Sequence, residues 1–340
     1  MSVPERYIDD NFFEPDLRPT GRTWLKHIGF LLLTLITTTI AGTLFPFGLI
    51  QTLPDGDPQT WPEILQFITS MPERYAALIA NAVYLLFTDA KYLAYGLSFS
   101  LSLLFILISH EMGHYIACRI YKVDATLPYF IPTPPMIGPA GTFGAFIKIR
   151  SPMPSRKAVF DIGLAGPIAG FIALIPIAII GIVTMEPVSA DQIANSSGIV
   201  FSDPLFMQLL ASVRGIDLQF STGNAFYFAA WVGLLVTALN LIPSGQLDGG
   251  HAIYSIFGAS VHRWTGRITF VLMATLSMVG WFYFNSPSGF LIAILLGIMM
   301  RVRHPDPRDQ SPLGATRIAI ATLTLGIFIL CFMPFPIQIK

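Results

Sequence analysis

Long apolar runs separated by short polar segments dominate this 340-residue chain. Six runs approach the ~20 residues a helix needs to cross a bilayer at ~1.5 Å per residue. They are Leu25–Phe45, Leu97–Arg119, Ala158–Val183, Ala225–Pro243, Ile268–Phe284 and Ile318–Met333. A seventh, Gly289–Met300, is short for a crossing. Tyr75–Phe87 is also shorter than a span, and predicts an interfacial or re-entrant helix. The fold class this pattern predicts is an all-α polytopic membrane protein of about seven transmembrane helices.

Composition agrees with the pattern. Hydrophobic residues make up 53% of the chain and charged residues 12%, about half the ~25% of a soluble domain. Mean hydropathy is +0.63. The 20 basic and 20 acidic residues cancel, so no electrostatic argument supports a nucleic-acid partner. Cys118 and Cys331 both fall in apolar runs and read as buried thiols, not as a disulfide or a cysteine metal site. Residues 1–23 are polar with mixed charge, including Glu5, Asp9, Asp10, Glu14 and Asp16. They read as an aqueous tail; a transit peptide would be Arg-rich and poor in acids.

Charge also orients the chain. With the tail inside and all seven runs crossing, sixteen of the twenty basic residues fall on the inner side. Only Arg74, Lys91, Arg214 and Lys340 lie outside. This positive-inside bias keeps Gly289–Met300 as a crossing. Two loops stand out. The inner loop 122–157 is rich in Pro and Gly and holds a strand-like stretch, Phe143–Arg150. The outer loop 184–223 is too short for a typical inserted soluble domain.

The second run contains His110-Glu111-Met-Gly-His114. On a helix, His110 and His114 project from one face, so two imidazoles can share a zinc ion. Glu111 beside them can take a proton from water that the ion activates. By composition, the pattern arises by chance roughly 0.002 times in a chain of this length. A glutamate and two histidines at membrane depth cost about 2.5–3.5 kcal/mol per charge, which marks them as functional.

A catalytic zinc site needs a third protein ligand. The fourth run ends Asn240-Leu-Ile-Pro-Ser-Gly-Gln-Leu-Asp248-Gly-Gly-His251. Asp-Gly-Gly alone is an ordinary turn signal. Topology favours Asp248 as ligand, because the second and fourth runs both descend from outside to inside. By helical rise the histidines sit roughly 8–14 Å below the inner surface, near the depth at which the fourth run ends. His251 is either a support to the ligands or a solvated loop histidine. For Asp161, stabilisation of a helix N-terminus is explanation enough.

At these residues the sequence resembles the site-2 protease family of intramembrane zinc metalloproteases. The matching pieces are His110–His114, Ala165-Gly-Pro167 and Asn240-x-x-Pro243 with Leu247-Asp248-Gly-Gly250, in the family's order over roughly residues 90–260. The resemblance implies a three-helix catalytic core that cleaves transmembrane segments. It implies that His110, His114 and Asp248 bind Zn2+, that Glu111 is the general base, and that Asn240 helps position substrate. On the residues alone, Asn240 could equally cap a broken helix. Neither a PDZ nor a CBS domain fits this chain, which resembles the domain-free branch of bacteria and plastids.

The partners expected are a transmembrane protein substrate and the lipid bilayer. A helical substrate must be captured extended, and a strand edge can pair with it. Phe143–Arg150, with Ile147 near its middle, is the candidate edge; the alternative is a loop that merely covers the core. The expected layout is a tail (1–24), a first span with outer loop (25–92), a catalytic core (93–260) and accessory spans (261–340). A bacterial inner membrane is expected ahead of a plastid membrane. The competing functions are a zinc transporter and an inactive relative that binds membrane segments.

Overall fold

The computed structural model describes residues 19–50, 59–189, 198–300 and 307–339. The tail as far as residue 18, the basic residues 301 and 303 and Lys340 lie outside the described residues. Helices dominate: α1 (Gly21–Thr43), α2 (Trp61–Thr88), α3 (Ala90–Ile120), α4 (Arg156–Val183), α5 (Leu205–Arg214), α6 (Ala225–Leu241), α7 (Asp248–Phe284), α8 (Ser288–Met299) and α9 (Ala315–Cys331). Four of them, α1, α3, α4 and α7, are long and apolar enough to cross a membrane; α6, α8 and α9 are shorter apolar helices.

Side-chain caps fix several helix starts. Ser155 Oγ accepts from the Ala158 amide (3.1 Å) and Asn224 Oδ1 from the Tyr227 amide (3.0 Å), each worth about 0.5–2 kcal/mol. Asn224 also donates to the Gly181 carbonyl (2.9 Å), which joins the end of α4 to the start of α6.

Contacts at the helix ends define two faces, called inner and outer here after the expectation from charge. On the inner one, the Arg156 amide donates to the Asp309 carbonyl (2.9 Å) and the Arg308 amide to that of Met153 (3.3 Å). Arg317 at the start of α9 grips Asp161 on α4 through two hydrogen bonds (2.9 and 2.7 Å). Asp161 therefore does more than favour its own helix terminus. On the outer face, a C-terminal strand, Ile337–Ile339, pairs antiparallel with Ile199–Phe201 of the 184–223 loop. Ser286, just past α7, donates to the Ile337 carbonyl (2.5 Å). The chain after α7 is thus outer, while the far end of α8 meets Gly245 near the inner face. Short as it is at 12 residues, α8 runs between the two faces.

The outer loop forms a small folded cap. Met207 and Ala211 of α5 are buried in the main core cluster, and Trp231 Nε1 on α6 donates to the Ser202 carbonyl (2.8 Å).

Three elements differ from the sequence reading. The Tyr75–Phe87 run is the second half of a 28-residue helix, α2. A capping box nucleates it: Glu63 N–H donates to Thr60 Oγ1, and the Glu63 carboxylate accepts from the Thr60 amide. Strand β2 covers Thr142–Phe146 and pairs antiparallel with β1, Tyr129–Pro132. Residues 147–150 continue it as irregular chain, with an isolated bridge at Ile149.

Nor is the 122–157 loop confined to the inner face. His27 Nδ1 lies 2.8 Å from the Pro128 carbonyl, and Thr37 Oγ1 donates to the Gly141 carbonyl (2.8 Å). The hairpin tip reaches a cavity that Met136 and Ile137 share with Ala41, Phe45 and Ile199. Tyr75 of α2 donates to the Pro135 carbonyl there (3.0 Å). From His27 to Ala41 the hairpin follows α1 for ~20 Å of helical rise. Non-helical backbone persists at that depth only when protein buries it or a cavity receives it; α1 covers β1, and β2 borders the cavity described below.

Candidate metal centre

Helices α3 and α4 form the most extensively packed helix pair among the described residues. His114 Nδ1 lies 2.7 Å from the Ile162 carbonyl on α4. An Nδ1–H donated there fixes the ring and leaves the Nε2 lone pair free for a ligand. Gly166 makes this approach possible: a Cβ at that position would lie within 2.5 Å of His114 Cε1. At Gly170, one turn on, a Cβ would stand 3.1 Å from His110 Cβ. Small residues at this face let the α4 backbone lie against both imidazoles.

The third element is α7, of which Asp248 is the first residue. Asp248 opens this helix and does not lie in the turn that Asp-Gly-Gly alone signals; the irregular turn is 242–247. His110 Nε2 and His114 Nε2 are 3.1 Å apart, and Asp248 Oδ2 is 3.4 Å from each. The three donor atoms form a near-equilateral triangle. Around a tetrahedral ion with ~2.0–2.1 Å bonds, ligand atoms sit ~3.3–3.4 Å apart. The donor set therefore fits a small divalent cation, with one coordination position left over. Such an ion also offsets charge in a cavity lined by two carboxylates, Glu111 and Asp248, and one lysine, Lys148.

Around the triangle lies a cavity of about 420 Å³. Its walls include Glu111, Asn240, Gln246 and His251, and the extended segment Ala145–Ile149 closes one side. Glu111 is buried, and it lines the cavity together with Ile147. Ile147 thus stands just past β2, beside the general-base candidate. Asn240 Nδ2 is 3.4 Å from His110 Nε2, at the edge of the ligand triangle. His251 sits on α7 with a wall of the cavity, not in a solvated loop.

Residues 98–280 match peptidase family M50. The chain belongs to that family, the site-2 protease family. Over 322 residues it is 29% identical to the probable zinc metalloprotease EGY1, chloroplastic, of Arabidopsis thaliana, covering 93% of this chain and 54% of that protein. The rice protein of the same name, from Oryza sativa subsp. japonica, is 27% identical over 323 residues, 93% of this chain and 52% of its own. The Arabidopsis probable zinc metalloprotease EGY2, chloroplastic, is 25% identical over 276 residues, 79% and 46% of the two chains. The chain spans about half the length of the curated relatives it matches.

Sequence reasoning missed several parts of the centre. The Ile162 carbonyl and the Gly166 cradle come from a second helix, and only the Ala165-Gly-Pro167 motif pointed towards them. The hairpin partner β1 gave no alternation strong enough to be read, having only four residues, one of them proline.

Proposed function

We propose that this chain is an intramembrane zinc metalloprotease that hydrolyses peptide bonds within transmembrane segments. The observation that carries the proposal is the triangle of His110, His114 and Asp248 donor atoms with Glu111 in the same cavity. The relatives named as zinc metalloproteases support zinc as the ion.

When bound, zinc supplies Lewis acidity, polarising the scissile carbonyl and making water a better acid at neutral pH. His110, His114 and Asp248 would hold it. Glu111 takes the proton from the attacking water and returns it to the leaving amine nitrogen. The Asn240 carboxamide, beside His110, is placed to hydrogen-bond the substrate backbone as charge develops on its carbonyl oxygen.

A bond inside an α-helix is shielded, and unwinding it in lipid leaves N–H and C=O groups unpaired at several kcal/mol each. The extended segment following β2 lines the cavity and can pair with unwound substrate by strand addition. Extended chain that lines the cavity beside Glu111, half-buried and not sealed off, suits pairing with substrate better than mere cover.

For a zinc transporter, a second ligand cluster along a route to the outer face would be needed. Among the described residues, His110, His114 and Asp248 form the one such group. An inactive relative would have no use for the buried Glu111. As to location, the chloroplastic relatives favour a plastid membrane over the bacterial inner membrane expected from the sequence. The test is zinc content together with cleavage of a transmembrane substrate in detergent, for wild type and Glu111→Gln. The variant should keep about one zinc per chain and lose cleavage ~10²–10⁴-fold. Appreciable cleavage by Glu111→Gln would refute the proposal.

A further inference from the structure

The metal ligand Asp248 rides on a helical segment that is free at neither end. Helix α7 breaks at Gly258, whose φ of 82° and ψ of 178° no helix contains. Beyond the break, His262 Nε2 returns to within 2.9 Å of the Gly245 carbonyl. Segment 248–257 is therefore a separate rigid rod, bounded by the 242–247 turn and the Gly258 break.

The far end of that rod meets Arg156, the first residue of α4. Arg156 donates from Nε and Nη2 to the Ser255 carbonyl (3.1 and 2.7 Å) and from Nη2 to that of Ile256 (3.3 Å). Nη1 of the same guanidinium donates to the Gln310 carbonyl (3.3 Å) in the segment between α8 and α9. The rod's last carbonyls have no partners within the helix, and a cation there also meets the negative end of its dipole. A planar fork suits this three-way contact, which a lysine cannot reproduce.

Helix α4 also carries the Ile162 carbonyl and the Gly166 cradle that place His114. Arg156 therefore ties the rod bearing the third ligand to the helix that orients one of the other two. We propose that Arg156 is a positioning residue for the metal centre, setting the axial register of segment 248–257 and so the place of Asp248. The proposal rests on the metal-binding reading above. A helical rod transmits an axial slip from one end to the other undiminished, over ~10 Å between Ser255 and Asp248. Metal ligands tolerate only ~0.2 Å, so a small slip at Ser255 is felt at the ion.

The test compares the full-length wild type with Arg156→Gln and Arg317→Gln. The second removes another arginine staple from α4, the one to Asp161, without touching the rod. Zinc affinity is measured by chelator competition, and ligand geometry by the visible absorption of the cobalt(II)-loaded protein. Arg156→Gln should weaken zinc binding ~10–100-fold, as for loss of groups that orient ligands, and alter the cobalt spectrum. Arg317→Gln should leave both as in wild type. If the glutamine variant does not fold, Arg156→Lys replaces it, with reduced affinity expected. Wild-type affinity and spectrum in the Arg156 variant, or equal changes in Arg317→Gln, would overturn the inference alone. Wild-type protein that takes up no metal would overturn the proposed function, and the inference with it.

Discussion

Replacing Gly166 by alanine is the sharpest probe of how this fold makes its centre. The added methyl would lie within 2.5 Å of His114 Cε1, inside the imidazole's own space. Relaxed carbon–carbon contacts stand at ~3.5–4.0 Å, so the ring or the α4 backbone must move by ~1 Å or more. That is several times the ~0.2 Å that metal ligation tolerates. The strain itself costs about 1–3 kcal/mol, and the hydrogen bond from His114 to Ile162 is lost as the helices part. Zinc affinity should therefore fall by at least ~10–100-fold, the loss found when a group that orients a ligand is removed. Gly170→Ala supplies a graded comparison, because its Cβ would stand 3.1 Å from His110 Cβ and need yield only a few tenths of an ångström. Gly326→Ala, on α9 with nothing within 4 Å, supplies a neutral one. The assay is zinc titration of detergent-purified protein against a competing chelator, with thermal unfolding measured alongside. The expected order of affinity is Gly326→Ala equal to wild type, then Gly170→Ala, then Gly166→Ala. Wild-type affinity in Gly166→Ala would refute the argument that close contact between α3 and α4 places His114.

The remaining predictions address the ligands, the strand and the topology. Asp248→Ala should lower both zinc occupancy and cleavage, since two imidazoles alone make an incomplete site; full zinc and normal turnover would reduce Asp248 to a helix-start residue. Asn240→Ala should cost less zinc than Asp248→Ala while still slowing cleavage, and equal zinc loss in the two would place Asn240 among the ligands. Ile147→Pro removes a backbone donor beside the cavity and disfavours strand pairing, so cleavage should collapse with zinc content unchanged; a wild-type rate would rule out substrate pairing through this position. Cysteines introduced at Thr20 and Ser311 should react with an impermeant reagent from one side of the membrane, and one at Gln219 from the other. Ser311 labelling together with Gln219 would show that α8 does not cross.

Much of this protein was legible in the chain itself, because a bilayer leaves so few choices. Apolar runs near span length must become helices, as Gly289–Met300 does in α8, and the skew of basic residues supplies an expectation for their orientation. His110, Glu111 and His114 were legible for the same reason: their relation is set by the period of a single helix. Asp248 needed one more step, the shared direction of two spans. What the sequence could not supply was anything decided between elements. The Thr60–Glu63 capping box was present in the chain, yet the apolar pattern alone started the helix at Tyr75. The hairpin's descent along α1 depends on partners such as Thr37 and Tyr75, distant in sequence and unremarkable in it. Gly170 reads as an ordinary membrane-helix glycine, and Gly166 only as part of the Ala165-Gly-Pro167 motif, until α3 is laid against them. Arg156 reads as one more inner-face charge until the break at Gly258 brings the Ser255 and Ile256 carbonyls to it. Periodicity and lipid fix what each segment is, while the close approach of backbones, which no local pattern encodes, decides where three donor atoms meet.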